Sequence, residues 1–193
     1  VKLTVTSDLA KTSARALTAP DAVVKPAAAR ALTRAAVTVR KEASKEIRKT
    51  YAIRASTAKS KLRATRASVR NLESSVIAAG RRAALAAFGA RLLTGRRRAG
   101  KISVLVVRRH GRRLVSGRSE FEGAPFIQTM PRTGHVGIYQ RETGRRLKIV
   151  ELFSIDVPTA LVSARVSPKL LRIGEERFRT EFARELNFRS GRR

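Results

Sequence analysis

The chain has 193 residues, room for one core-bearing domain, with 42% hydrophobic residues but only 5% aromatics and no Trp. Against 14 Asp and Glu stand 43 Lys and Arg, a formal charge of +29, and there is no Cys. Disulfide and thiolate chemistry are therefore excluded, a reducing compartment is compatible, and a partner of negative charge is expected. Nucleic acid ranks first, an acidic protein second, and a membrane surface last, because no stretch approaches the length of a spanning helix. Val1–Pro20 carries Asp8, Lys11 and Arg15 with no continuous apolar run, unlike a signal peptide. Much of the apolar content is Ala, so the core is thin and oligomerisation is expected to supply part of the burial.

The first 25 residues form a separate segment. Lys2–Thr6 alternates as a short strand, Ser7 or Asp8 can cap a short helix through Leu17, and Pro20 and Pro26 bracket a connector. Residues 26–50 read as the longest helix, with Pro26 in its first turn. Ala28, Leu32, Ala35, Val39, Ala43 and Ile47 recur at three- and four-residue steps and form one buried stripe. Arg30, Arg34, Lys41, Lys45, Arg48 and Lys49 lie off it. Ser56 or Thr57 caps a second short helix containing Lys59, Leu62 and Arg63. The period then changes, and Leu72–Ala79 reads as a strand ending at Gly80.

Ala83–Leu93 is apolar without a clear form, and Thr94–Gly100 is a basic loop. Lys101–Arg108 has apolar residues on both faces, as a central strand does. His110–Arg118 is a turn region. Pro125–Met130 and Val136–Gln140 read as two strands joined by Pro131–Gly134, Arg141–Arg146 as a turn, and Leu147–Phe153 as a further extended segment. Pro158 marks a short helix and Pro168 the start of a longer one. Leu171, Ile173, Phe178, Phe182 and Leu186 make its apolar face, weakened at Gly174. The order is α+β: basic N-terminal helices, a central mainly antiparallel β-sheet and a C-terminal helix. Residues 26–188 are expected to form a single domain, and 189–193 a frayed basic tail.

Motifs for catalysis are missing. His110 and His135 each sit in a Gly-bearing loop, and no HExxH, CxxC, GxSxG or acidic metal loop occurs. Glu120 and Glu122 share a face if extended, a pairing that more often answers nearby arginines than performs acid–base chemistry. Thr94–Gly100 lacks the GxxxxGK[ST] spacing of a phosphate loop. The chain is therefore read as a non-enzyme without cofactor or metal. The residues that stand out form surfaces. Arg40, Lys41, Lys45, Arg48, Lys49, Lys59, Lys61 and Arg63 are expected to meet phosphates or an acidic partner. Arg96, Arg97, Arg98, Glu120 and Glu122 are expected to meet neighbouring subunits. Tyr51 is the only aromatic within the basic region and no recognition module accompanies it, so any DNA contact is to phosphates and insensitive to sequence.

The order of segments resembles one known family. Ala28–Ala36 (AARALTRAA), running into Val39-Arg40-Lys41 and Ile47-Arg48-Lys49, is similar to the opening helix of the minor tail protein Z family of tailed bacteriophages, with Thr33 and Ala35 where that family carries Asn and Thr. Tyr51–Leu62 looks like its step into a second basic helix. Val76–Arg82 followed by Leu85 and Phe88-Gly89-Ala90-Arg91 is similar to its strand before a Phe-Gly-Ala-Arg motif, and Ile102–Val107 to the strand that follows. Ala124–Met130, Gly134-His135, Gly137–Arg141, Leu147–Phe153 and Ser154–Pro158 continue in the same order. Pro125, and the lack of a proline in Gly80–Ala87, depart from the pattern. The likeness spans about residues 26–186.

The resemblance implies a structural virion protein at the head-proximal end of the tail, or neck, made in the bacterial host cytoplasm. Its partners would be the tail terminator, tail tube and head–tail connector. It would complete the tail and support head–tail joining and DNA passage, as a homo-oligomeric ring that the family suggests is a hexamer. The competing reading, a sequence-nonspecific nucleic-acid-binding protein, rests on charge alone.

Overall fold

In the computed structural model, residues 2–5, 20–94, 100–143 and 148–191 are described. They fall into two compact units: Val1–Ile47, Ala55–Ala79 and Val157–Arg193 form the first, and Arg48–Arg54 with Gly80–Asp156 the second.

The first unit is organised by alanine. Helix α1 runs Asp21–Thr50, and its Ala-rich sequence favours the helix because little side-chain entropy is lost. Ala27, Ala28, Ala31 and Ala35 are completely buried. Against this flat strip pack Phe178, Phe182 and Leu186 of the C-terminal helix α4, Ser167–Ser190. The two rings stack with centroids 5.4 Å apart. Burying each contributes roughly 1.5–3 kcal/mol, so large residues on α4 compensate for small ones on α1.

The expected stripe on α1 is buried throughout, from Ala28 to Ile47. Its start is earlier than expected: the carbonyl of Pro20 accepts from the amides of Val23 and Val24 at 2.8 and 3.1 Å, so the supposed connector is helical and Pro26 lies inside it. On α4 the expected face needs correction. Leu171 is exposed and Ile173 half-buried, whereas Leu170 and Gly174 are buried. Burial follows the row Leu170, Gly174, Phe178, Phe182, Leu186 in steps of four, a ridge that winds about the axis and leaves Leu171 outside.

Three strands complete this unit: β1 (Lys2–Val5), β2 (Leu62–Ala64) and β3 (Ser74–Ala78), antiparallel in the order β1-β3-β2. Helix α2 is Ala55–Ser60 and α3 is Val157–Val162. The expectation that Leu62 and Arg63 continue the helix of α2 is overturned, because the Ala79 amide donates to the Lys61 carbonyl at 3.0 Å and draws the chain into the sheet. The buried serines of β3 are satisfied: Ser74 Oγ donates to the Thr65 carbonyl at 2.7 Å, and the Ser75 amide to Thr65 Oγ1 at 2.7 Å.

The second unit holds two more antiparallel sheets. One is β4 (Arg91–Leu92), β5 (Ile102–Val104) and β6 (Arg113–Leu114), with β5 central. The other is β7 (Phe126–Thr129), β8 (Val136–Arg141) and β9 (Ile149–Glu151), with β8 central. Short 3₁₀ turns lie at Leu85–Phe88 and Arg108–His110. β5 is central as expected but only three residues long. Beyond Val104 the backbone changes partners: the Leu105 amide donates to the Phe88 carbonyl and the Val106 carbonyl accepts from Ala52, each at 3.0 Å. The hairpin β7–β8 follows the expected spans, closed by the Met130 amide on the His135 carbonyl at 2.8 Å. The architecture is α+β, with its strands divided among three small sheets rather than one.

Candidate functional site

The eight cations expected to face an acidic partner are all exposed. They sort into two groups. Arg40, Lys41, Lys45, Arg48 and Lys49 stand along α1, with Lys41, Lys45 and Lys49 at steps of four. Val39, Ala43 and Ile47 on the same helix are each fully buried, which fixes the face on which Arg40, Lys41 and Lys45 stand. Glu42 takes Lys45 at 2.7 Å, and Glu46 takes Lys169 at 3.5 Å. Lys59, Lys61 and Arg63 form the second group at the join of α2 and β2.

The segment bearing Glu120 and Glu122 is held by a residue that the sequence did not single out. Gln140 of β8 is 2% exposed. Its Oε1 accepts from the Arg118 amide at 2.7 Å, and its Nε2 donates to the carbonyls of Arg118, Phe121 and Gly123 at 3.1, 3.2 and 3.1 Å. Gly117 lies against it at φ +75°, where a Cβ would come within 2.7 Å of the Gln140 carboxamide. The Arg118 guanidinium stands 5.4 Å over the Phe121 ring and 3.4 Å from Glu120. Glu120 thus answers an arginine, while Glu122 is exposed. Arg96, Arg97 and Arg98 lie outside the described residues.

The two histidines differ in their surroundings. His110 Nδ1 is 3.0 Å from Arg113 Nη2 on a 3₁₀ turn. His135 Nε2 is 2.7 Å from Glu151 Oε1. Burial, and then the Glu151 charge, raise the Tyr139 hydroxyl above the ordinary tyrosine value, so it stays protonated. Among the described residues no group of three or more His, Cys, Asp or Glu could hold a metal ion, and no helix is long and apolar enough to cross a membrane.

The densest electrostatic cluster joins α1 to α4 and escaped sequence reasoning. Glu181 and Glu185 are 2% and 5% exposed. Arg34 Nη1 reaches Glu181 at 2.9 Å and Glu185 at 2.8 Å, and Arg177 reaches Glu181 at 2.7 Å. Arg30, Arg184 and Arg189 stand farther off, at 3.8–3.9 Å. The Arg34 hydrogen bond holds the Glu181 carboxyl below the ordinary glutamate value; burial opposes it, and the charges of Arg177, Arg184 and Arg34 assist it. Reciprocally, the bond to Glu181 raises Arg34. The available signal was paired spacing: Arg30 and Arg34 four apart on one helix, Glu181 and Glu185 four apart on another.

The chain offers exposed cations, a tethered acidic segment and an ionic lock with buried carboxylates. No curated protein sequence and no solved structure gave a match to the chain. The family described as prophage minor tail protein Z (GPZ) matches residues 10–191, nearly the whole length. The chain therefore belongs to the prophage minor tail protein Z family and is a structural protein of the phage tail.

Proposed function

We propose that this tail protein completes the head-proximal end of the tail, as a closed homo-oligomeric ring of six subunits in the neck, and supports head–tail joining and DNA passage without catalysis. The observation that carries the reading is the family match over residues 10–191. The exposed cations on α1 and at the α2–β2 join support it, because they suit acidic surfaces of a tail terminator, tube or connector, or DNA phosphates in the channel. Glu120 and Glu122, with Arg96, Arg97 and Arg98, would meet adjacent subunits, since a ring closes through heterologous contacts between unlike patches.

Quantitative mass spectrometry of purified infectious particles tests the placement. About six copies per particle is the expected count for one six-fold ring; absence from particles, with recovery on cellular nucleic acid, overturns it. The basic row is tested by the triple change Lys45→Glu, Arg48→Glu and Lys49→Glu, which should abolish assembly or infectivity. Normal infectious yield from that variant would remove the row from the account.

A further inference from the structure

The first unit contains an open cleft of about 790 Å³ between one side of α1, the loop that joins β2 to β3, and the end of α4. Four arginines line it: Arg30 and Arg34 of α1, Arg66 of the loop and Arg189 of α4. Between them lie Val37 and Val69, which are 38% and 50% exposed. None of these six belongs to the cation groups described above.

The cleft is built before any ligand arrives. Thr33 Oγ1 accepts from the Ala67 amide at 3.1 Å and donates to the Ala29 carbonyl at 2.9 Å, pinning the loop to α1. The loop is closed on itself by reciprocal bonds: the Ser68 amide donates to the Asn71 carbonyl at 2.9 Å, and the Asn71 amide to Ser68 Oγ at 3.0 Å. Beneath the rim, Glu181 and Glu185 fix Arg34. A site held this way binds without first ordering its own side of the contact.

The distribution of charge selects the ligand. Arg34 and Arg189 are partly answered by the two carboxylates, Arg30 stands 3.8 Å from Glu185 with 60% of its side chain exposed, and Arg66 has no ion pair among the described residues. The surplus is thus a pair of rim guanidiniums, whose planar forks match carboxylates. A polyphosphate backbone would gain nothing from the exposed valines. Paired guanidiniums beside solvent-exposed valines suit a ligand that is acidic and apolar at once.

We infer that this cleft is a docking site for an acidic protein segment that places an apolar side chain on Val37 and Val69 and carboxylates on Arg30 and Arg66. The inference goes beyond the tail-completion reading and does not depend on where in the tail the protein sits.

Full-length protein is titrated by fluorescence anisotropy at about 0.15 M NaCl, near physiological ionic strength. Three labelled probes are used: a helical peptide with two leucines flanked by glutamates, the same peptide with serines for leucines, and a short DNA duplex. The leucine peptide should bind at least about tenfold more tightly than the serine peptide. Val37→Ser with Val69→Ser should remove that difference while circular dichroism stays unchanged. Arg30→Ala with Arg66→Ala should weaken the leucine peptide by about tenfold or more. The same charge change at Arg172→Ala with Arg179→Ala, outside the cleft, should not. The inference is overturned if the two peptides bind alike, if the valine variant keeps the preference, or if the Arg30 and Arg66 changes weaken only the DNA. A failed peptide titration leaves the particle copy number untouched, so the two readings stand or fall separately.

Discussion

Neutralising Glu181 tests the ionic lock between α1 and α4. The change Glu181→Gln keeps the volume of the side chain and one acceptor for Arg34 but removes the charge. Glu181 is 3% exposed at its side chain and has guanidiniums at 2.7 and 2.9 Å, yet both arginines are nearly half exposed. Breaking a fully buried pair costs about 3–5 kcal/mol; solvent screening of the arginines and the retained acceptor reduce this to about 2 kcal/mol. With a urea dependence of about 2 kcal/mol per molar, the midpoint should fall by about 1 M. Circular dichroism reads this unit directly, because α2, α3, α4 and all but the last turn of α1 belong to it.

The pH dependence gives a second constraint from the same variant. The folded-state value of Glu181 is depressed. Its stabilisation is therefore fully present above the unfolded glutamate pKa, about 4.3, and is lost as pH falls through the lower folded value. Wild type and variant should differ by a constant amount near neutrality and converge only in acid below the ordinary glutamate range. The control Glu176→Gln, whose partner Arg172 is 82% exposed, should shift the midpoint by under about 0.2 M. A Glu181→Gln midpoint equal to that of wild type at neutral pH, or a difference that widens in acid, would refute the lock.

Other consequences are equally direct. Phe182→Ala should cost about 3–5 kcal/mol, seen as loss of helical signal at lower urea, because flat alanines cannot collapse into the vacated space; a cost under about 1 kcal/mol would mean that the Ala–Phe interface is not the core of this unit. Gln140→Leu should speed hydrogen exchange at the Arg118 amide and tryptic cleavage after Arg118, and unchanged rates would show that the Glu120 segment is held by something other than the carboxamide. Raising NaCl from about 0.05 to about 0.3 M should raise the thermal midpoint of the isolated chain, since screening relieves the repulsion of a net +29 charge; a fall would mean that ion pairs outweigh that repulsion.

Legibility in the sequence followed locality. The body of α1 could be read because Ala28, Leu32, Ala35, Val39, Ala43 and Ile47 obey one period, and the β7–β8 hairpin because a Pro-Arg-Thr-Gly turn separates two extended runs. The start of α1 could not, because Pro20 accepts helical hydrogen bonds through its carbonyl while Pro26 draws attention as a first-turn proline. The end of α2 was hidden because Leu62 fits either period and only pairing with Ala78 of β3 decides it. At the site, exposure of the α1 cations was readable from their place off the stripe. The contact of Arg34 with Glu181 was not: 147 residues separate them, and nothing local marks Glu181 as buried. Gln140 was equally invisible, since its role is to satisfy carbonyls of a loop about twenty residues upstream.

The distribution of carboxylates gives the charge its meaning. In the first unit Asp21, Glu42, Glu46, Glu73, Glu181 and Glu185 are each engaged by a Lys or Arg of the same chain. Most of the described acid of this unit is therefore spent on contacts within the chain, and the exposed charge left over there is mainly cationic. Exposed pairs such as Lys25 with Asp21 contribute little to folding, and an Ala-rich core has little stability to spare. The isolated chain carries the full cost of its self-repulsion, and any acidic neighbour that binds the folded state relieves it. Where the neighbours of this tail protein are acidic, its stability is coupled to incorporation: such contacts also remove the force that works against its fold.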